Sequence, residues 1–158
     1  MTEKAMSRRI VLGAGACALV AEAGGPQLAR ASAETERSKS QEAVRKYYGA
    51  WDAKDWHALD IMLKDDFTFS SPLDDQISKS AYKAKCWDTQ IAYIDRFDLE
   101  QVIATHNQAF VLYVCHTTNG KTFRNVEYFT FREGKVKAVE CYFGGKSSFP
   151  SAVSTEKG

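Results

Sequence analysis

A glutamate in the second half of the chain has the clearest potential for acid–base chemistry. Glu127 lies within residues 121–131, where polar and apolar side chains alternate, a pattern that predicts a strand. If Asn119-Gly120 forms a two-residue hairpin turn, Leu112 lies opposite Glu127. One face of the two strands then carries Leu112, Val114, His116, Phe123, Asn125, Glu127 and Phe129.

A carboxyl group among such apolar neighbours has a raised pKa and can donate a proton or a hydrogen bond to a ligand's oxygen. The alternative is a glutamate on the outer, solvent-facing side of the sheet, since charged residues are seldom fully buried. Both alternatives stay open at this point.

The last predicted hairpin determines which residues surround this carboxyl. A two-residue turn at Glu133-Gly134 sets Glu127 opposite Glu140, which is a like-charge pair. A three-residue loop over 132–134, with its glycine in the left-handed conformation, sets Glu127 opposite Val139. We favour the second register because it avoids the repulsion and surrounds the carboxyl with Val139, Cys141 and Phe143.

Few other residues offer companion groups. Tyr47, on the first predicted helix, either points its hydroxyl into a cavity or packs as an ordinary core residue. The position of His116 near an open turn favours exposure over catalysis, and His57 and His106 fall at surface positions. Asp74 is expected to be a surface charge in a predicted loop, and the alternative is that it reaches the cavity mouth.

The sequence predicts neither a metal site nor a nucleotide cofactor. Histidines and carboxylates do not occur at metal-ligand spacing, and Cys86, Cys115 and Cys141 form no CxxC motif. Glycine-rich phosphate loops and the Gly-x-Ser-x-Gly elbow are absent from the sequence. The three cysteines are expected to be buried thiols, with a single disulfide bridge left open as the alternative.

Three helices and five strands are predicted to position these residues. The first helix, 39–53, follows the capping-box pair Ser38 and Gln41, and Asp55 caps a second, short helix. A strand over 66–71 and a loop over 72–77 precede a third helix that begins at Ser78 or Ser80. The last four strands are expected at 97–106, 109–118, 121–131 and 135–143. This order predicts an α+β fold in which three helices pack on a curved antiparallel sheet and form a half-open cone.

The composition is that of one globular domain, with 158 residues, 44% hydrophobic and 26% charged. A net charge of +1 disfavours a nucleic-acid partner. We expect a domain over 34–145 and a flexible tail over 146–158.

Residues 1–33 have the layout of a twin-arginine signal peptide. Ser7-Arg8-Arg9 precedes an apolar run over 10–21, and Ala31-Ser32-Ala33 offers a cleavage site. The alternatives are a lipid anchor at Cys17 and a membrane anchor, for which the run is shorter than the roughly 20 residues of a spanning helix. The prediction is an exported, periplasmic or secreted protein with no membrane contact after cleavage.

Two stretches of the chain resemble a known family. They are VRKYYGAWDAKDWHALDIMLKDDFTFSSPL over 44–73 and EYFTFREGKVKAVECYFG over 127–144. They are similar to the SnoaL-like group of the nuclear-transport-factor-2-like superfamily, which includes polyketide cyclases and ketosteroid isomerases. The resemblance spans about residues 40–144 and implies the cone-shaped fold of that superfamily.

The resemblance also implies roles for three residues. The isomerases use a tyrosine on the first helix, a base aspartate at the end of the first strand and a protonated carboxylic acid on a later strand. These positions match Tyr47, Ser71 and Glu127. Since the Ser71 hydroxyl cannot remove a proton from carbon unaided, the resemblance does not supply the isomerase's base.

The resulting hypothesis is an exported protein that binds a small apolar molecule, acting as a cofactor-free isomerase, cyclase or dehydratase on a carbonyl compound. Glu127 is the expected proton donor or acceptor, and Tyr47 the group that polarises the carbonyl. The other expected pocket residues are Trp51, Phe69, Ser71, Trp87, Leu112, Val114, His116, Asn125, Val139, Cys141 and Phe143. The alternative is a non-catalytic ligand-binding or dimerisation domain, whose outer sheet face around Tyr128 and Thr130 contacts a second copy.

Overall fold

The computed structural model describes residues 25–143, so most of the predicted signal peptide and the whole predicted tail lie outside the described residues. Three helical segments are α1 (Gly25–Asp52), α2 (Trp56–Met62) and α3 over residues 79–90. Six strands are β1 (Leu63–Ser71), β2 (Asp74–Ser78), β3 (Ile94–Ala104), β4 (Gln108–Thr117), β5 (Thr122–Arg132) and β6 (Lys135–Tyr142).

The strands form one curved sheet in the order β2-β1-β6-β5-β4-β3. Helices pack against it, which confirms the predicted α+β class. The sheet is mixed rather than purely antiparallel, because β1 runs parallel to β6, with Phe69 opposite Val139. The remaining neighbours in the sheet are antiparallel. The last described strand, β6, thus lies between β5 of the meander and β1.

Helix α1 begins at Gly25, well before the predicted start at residue 39. Residues 27–39 are exposed apart from the half-buried Glu36, and they carry ion pairs at helical spacing, such as Glu34 with Arg37 and Glu36 with Lys39. These turns have no periodic apolar stripe, so the pattern that predicts amphipathic helices does not include them in the helix. Ala33, the predicted cleavage position, lies within this helix.

Helix α2 begins as predicted, since the Asp55 side chain accepts a hydrogen bond from the Ala58 N–H at 2.9 Å. The predicted loop over 72–77 is wrong in part, because Asp74–Ser78 forms β2 and makes a hairpin with β1. Helix α3 is capped by Ser78 and consists of an α-helical start, Lys79–Tyr82, a π-helical middle, Lys83–Trp87, and an α-helical end, Asp88–Gln90.

The turn between β4 and β5 has three residues rather than two. Thr117 and Lys121 close it, with the Thr117 N–H bonded to the Lys121 carbonyl at 2.9 Å. Gly120 has a φ of 81° there, a left-handed conformation that suits glycine. The Asn119 side chain accepts from the Lys121 N–H at 3.3 Å and supports the wider turn.

This turn shifts the register of β4 by one residue from the prediction. Val111, not Leu112, lies opposite Glu127. Because successive side chains of a strand point to opposite faces, a one-residue shift turns all of them over. The inner face of β4 therefore carries Val111, Tyr113 and Cys115, and the outer face carries the predicted pocket residues Leu112, Val114 and His116.

The turn between β5 and β6 has two residues, so the predicted three-residue loop is wrong. Glu133 and Gly134 both have positive φ, as a type I′ turn requires. A bulge in β6 then adds one residue, and Glu127 lies opposite Cys141 rather than Val139 or Glu140. Glu127 itself lies buried on the inner face, which is one of the two alternatives that the sequence leaves open.

The core lies between the inner face of the sheet and the helices. Its fully buried side chains include Val44 and Tyr47 on α1, Leu59 on α2, and Phe129 on β5. None of the helices described in residues 25–143 is long and apolar enough to cross a membrane. One end of this core stays open and forms the cavity described next.

Candidate functional site

A cavity of about 390 Å³ opens between α1, α3 and the inner face of the sheet. Its volume is in the range of small-molecule sites. Nine of its 20 lining residues are aromatic and seven are polar or charged. It is lined by Tyr47, Tyr48, Trp51, Phe69, Ser71, Leu73, Asp74, Tyr82, Lys85, Cys86, Gln90, Ile94, Phe97, Tyr113, Phe123, Arg124, Asn125, Glu127, Cys141 and Phe143.

Glu127 is the buried carboxyl group of this cavity, with 8% of the residue exposed. The Tyr48 hydroxyl donates to its Oε2 at 2.6 Å, and the Tyr113 hydroxyl donates to its Oε1 at 3.2 Å. Tyr48 comes from α1 and Tyr113 from β4, so helix and sheet together hold the carboxyl. Each of its two oxygens thus has a hydroxyl partner, and the group has one orientation relative to the cavity.

A third polar side chain supports this arrangement. The Asn125 amide donates to the Tyr113 hydroxyl oxygen at 3.1 Å. Because that oxygen already accepts from Asn125, the proton of Tyr113 is available to Glu127. Cys141 lies beside them, with its Sγ 3.7 Å from the Asn125 amide nitrogen. The four residues form one hydrogen-bonded group on β4, β5 and β6.

Burial raises the pKa of the Glu127 carboxyl above its ordinary value of 4.5, and the hydrogen bond from Tyr48 opposes this rise. Burial also raises the pKa values of Tyr48 and Tyr113 well above 10, so both hydroxyls stay protonated as donors. A carboxyl whose pKa is shifted toward neutrality can exchange a proton with a bound molecule, and neutral hydroxyls can stabilise a developing negative charge.

Comparison with known proteins identifies the domain. The family model of the SnoaL-like domain matches residues 44–139, which is more than half of the chain. The chain belongs to this family. The matched segment begins at Val44 in α1 and ends at Val139 in β6, so it contains Tyr48, Tyr113 and Glu127.

Solved structures with the same fold include three with assigned activities. One is assigned as a polyketide cyclase from Xanthomonas campestris pv. campestris; it is 20% identical, with a TM-score of 0.57, over 69% of this chain and 93% of that chain. A second is assigned as a ketosteroid isomerase from Kribbella flavida. It is 17% identical, with a TM-score of 0.57, over 76% of this chain and 85% of that chain.

The third is an epoxide hydrolase of M. tuberculosis, 15% identical, with a TM-score of 0.59, over 69% of this chain and 85% of that chain. No curated protein sequence matches this SnoaL-like chain. At these identities, the structural similarities establish the fold alone.

Several residues predicted for the pocket do line the cavity of this SnoaL-like domain. Tyr47 does so, but its hydroxyl bonds to the Tyr82 hydroxyl at 2.5 Å rather than to Glu127. The Ser71 hydroxyl accepts from the Leu73 N–H at 3.1 Å, at the end of β1. The other predicted residues that line the cavity are Trp51, Phe69, Asn125, Cys141 and Phe143.

Five predicted pocket residues lie elsewhere. Trp87 and Val139 are buried in the core, where Trp87 packs on Trp51 with ring centroids 4.4 Å apart. His116 lies on the outer face, with its Nε2 2.6 Å from an oxygen of Asp98. The register shift in β4 is the physical reason for the outer placement, and it corrects the prediction for Leu112, Val114 and His116.

Sequence reasoning missed the two tyrosines that bind the carboxyl. At helical spacing, one face of the first helix carries Val44, Tyr47, Tyr48 and Trp51, so this pattern predicts Tyr48 inside the fold, where the structure has it. Periodicity gives a residue's facing but not which of two adjacent tyrosines reaches a given strand. Tyr113 would have been found with a three-residue turn at residues 118–120, because that register turns it inward.

The cysteines of the described segment are buried free thiols. Burial raises the pKa of Cys86 to about 11 and that of Cys115 to about 12, and it also raises the pKa of Cys141. The thiolate is the nucleophilic form, so these thiols are poor nucleophiles near neutral pH. Within residues 25–143, no group of three or more His, Cys, Asp or Glu side chains is arranged to hold a metal ion.

The buried carboxyl makes stability depend on pH. Since the pKa of Glu127 is higher in the folded than in the unfolded protein, its contribution is fully present below the unfolded value of 4.5 and is lost as pH rises through the folded value. We expect the unfolding free energy to fall over this window by about 1.4 kcal/mol for each pH unit.

Urea unfolding of wild type and Glu127→Gln between about pH 4 and pH 9 measures this loss, because the amide does not titrate. Glu140→Gln, on the outer face of β6, is the control and should follow wild type. Parallel profiles for wild type and Glu127→Gln would contradict a raised pKa.

Proposed function

We propose that this protein binds a small, mostly apolar, oxygen-bearing molecule in the cavity and that Glu127 exchanges a proton with it. The reaction class is cofactor-free isomerisation, cyclisation or dehydration of a carbonyl compound. The single observation that carries the proposal is a buried carboxyl held by two tyrosine hydroxyls against a cavity with aromatic walls.

The roles of the polar residues follow from their contacts. Glu127 gives or takes the proton, since its pKa is raised by burial. Tyr48 and Tyr113 hold the carboxyl and stabilise charge that develops on it or on the ligand's oxygen. Tyr48, in place of the predicted Tyr47, is thus the tyrosine of α1 that acts with the carboxyl.

The relatives support acid–base chemistry as a class. Their assigned activities are those of a polyketide cyclase, a ketosteroid isomerase and an epoxide hydrolase. The proposal includes export, which is supported by Ser7-Arg8-Arg9 and the apolar run that follows it.

A thermal-shift screen of the purified protein against ketosteroids, aromatic polyketides and small phenols tests the binding step. A molecule that binds only the folded state raises the free energy of unfolding by mass action, by about 2.7 kcal/mol at a concentration of 100 Kd, and so raises the unfolding midpoint. We expect at least one class to raise the midpoint and Glu127→Gln to reduce the rise. Unchanged midpoints with all three classes would contradict the proposal.

A non-catalytic dimerisation domain is the second candidate, and the outer face of the sheet favours it. Phe110 and Ile103 are 50% and 64% exposed there, on adjacent strands. Phe110 also packs on Tyr128 with ring centroids 4.7 Å apart. Such an apolar patch is typical of a surface that contacts a second copy.

A further inference from the structure

The cavity has a buried end and an exposed mouth, and the two are lined by different groups. The buried end has the hydrogen-bonding group of Tyr48, Tyr113 and Glu127, which are 3%, 3% and 8% exposed. The mouth has Leu73, which is 81% exposed although it lines the cavity. A ligand that satisfies both ends has its oxygen inside and its apolar part at the mouth.

Leu73 belongs to an apolar lip and is not an isolated surface leucine. Leu73 lies in the two-residue turn between β1 and β2, and Phe143 directly follows β6, the strand that pairs with β1; both line the cavity. Phe123 is the third member of the lip and lines the same cavity. Phe123 and Phe143 are only partly buried, so the lip presents apolar area that a bound molecule would cover.

Charged side chains also line the mouth, and each is paired. Lys85 bonds to Asp74 at 2.9 Å, and Arg124 bonds to Glu100 at 3.0 Å. Charges that already neutralise each other attract an additional ionic group weakly. The mouth therefore favours an uncharged part of the ligand.

We propose that the ligand of this cavity has an apolar tail that leaves over Leu73 and Phe143 while its oxygen end contacts the Glu127 group. The inference rests on the proposed function, because it places the ligand in the same cavity. It adds the substrate class, which is a molecule with one oxygen-bearing end and an uncharged hydrocarbon extension longer than the cavity.

A series of 4-alkylphenols from 4-methylphenol to 4-hexylphenol tests the tail. Their dissociation constants are measured on the full chain by calorimetry, for wild type, Leu73→Ser and the control Ile61→Ser. Ile61 is 54% exposed on α2 and does not line the cavity, so its replacement removes a similar apolar side chain elsewhere.

We expect each methylene that reaches the lip to tighten binding by about twofold to fourfold, until the tail passes beyond it. Leu73→Ser should weaken the longest phenols by about threefold or more and leave 4-methylphenol unchanged. Ile61→Ser should follow wild type throughout the series.

The outcomes separate this inference from the proposed function. The tail proposal is overturned if 4-methylphenol binds and chain length has no effect. It is also overturned if Leu73→Ser gains as much affinity per methylene as wild type does. In either case the cavity stays a binding site. If all phenols fail to bind and the ligand screen is also negative, the proposed function falls together with the tail.

Discussion

Glu127→Gln should lower the turnover of a substrate found in the screen by about 100-fold to 10,000-fold, the usual contribution of a positioned acid or base. Glutamine keeps the size of the side chain and can still bond to Tyr48 and Tyr113, but it has no proton to exchange at neutral pH. The loss should therefore appear in kcat, measured by steady-state kinetics.

The matched control is Glu140→Gln. Glu140 lies on the neighbouring strand β6, faces the outer side and bonds to Tyr142, so its replacement should leave kcat within about twofold. The unfolding midpoint of both variants shows whether the fold is intact. A Glu127→Gln enzyme with full activity would exclude proton exchange by this residue, even if the ligand still binds.

Phe129→Ala should cost about 3–5 kcal/mol of unfolding free energy, which is a large part of the stability of a small domain. Phe129 is fully buried on β5 and contacts the ring of Tyr47 edge to face, with centroids 5.0 Å apart. It also lies 6.0 Å from the ring of Tyr48. Its removal leaves a void directly beneath the tyrosine that holds Glu127.

Urea unfolding at one pH measures this cost, with Phe110→Ala as the control. Phe110 is a half-exposed phenylalanine on the adjacent strand, on the outer face, so its loss should cost about 1 kcal/mol or less. If Phe129→Ala does not fold, Phe129→Leu is the milder variant and should still cost more than Phe110→Ala. Equal costs at the two positions would contradict the assignment of the inner face.

The fold was predictable because its signals are local and repeated. Apolar residues at helical spacing placed Tyr47 and Tyr48 inside, and alternation marked the four strands of the meander. The cap of α2 by Asp55 was predictable because it involves only residues close to Asp55 in the sequence. The strand β2 and the parallel pairing of β1 with β6 depend on contacts between distant segments, which a pattern of neighbours does not specify.

The site was harder to predict because it depends on the number of residues in two turns. The turn that ends at Gly120 has three residues where two were predicted, and the turn that ends at Gly134 has two where three were predicted. An Asn-Gly pair fits a two-residue turn and also the end of a three-residue turn, so composition does not separate them. In β6 the bulge restored the predicted inward facing of Val139 and Cys141, whereas in β4 no bulge compensated and Tyr113 was missed.

The pairing of β1 with β6 also has a consequence for how the chain acquires its structure during synthesis. Strand β1 has β2 on one side, but its other edge stays unpaired until β6, the last strand of the described segment, has been made. Closing so long a loop is entropically costly and slows folding. A nascent chain whose β6 has not yet left the ribosome therefore exposes the edges of β1 and β5.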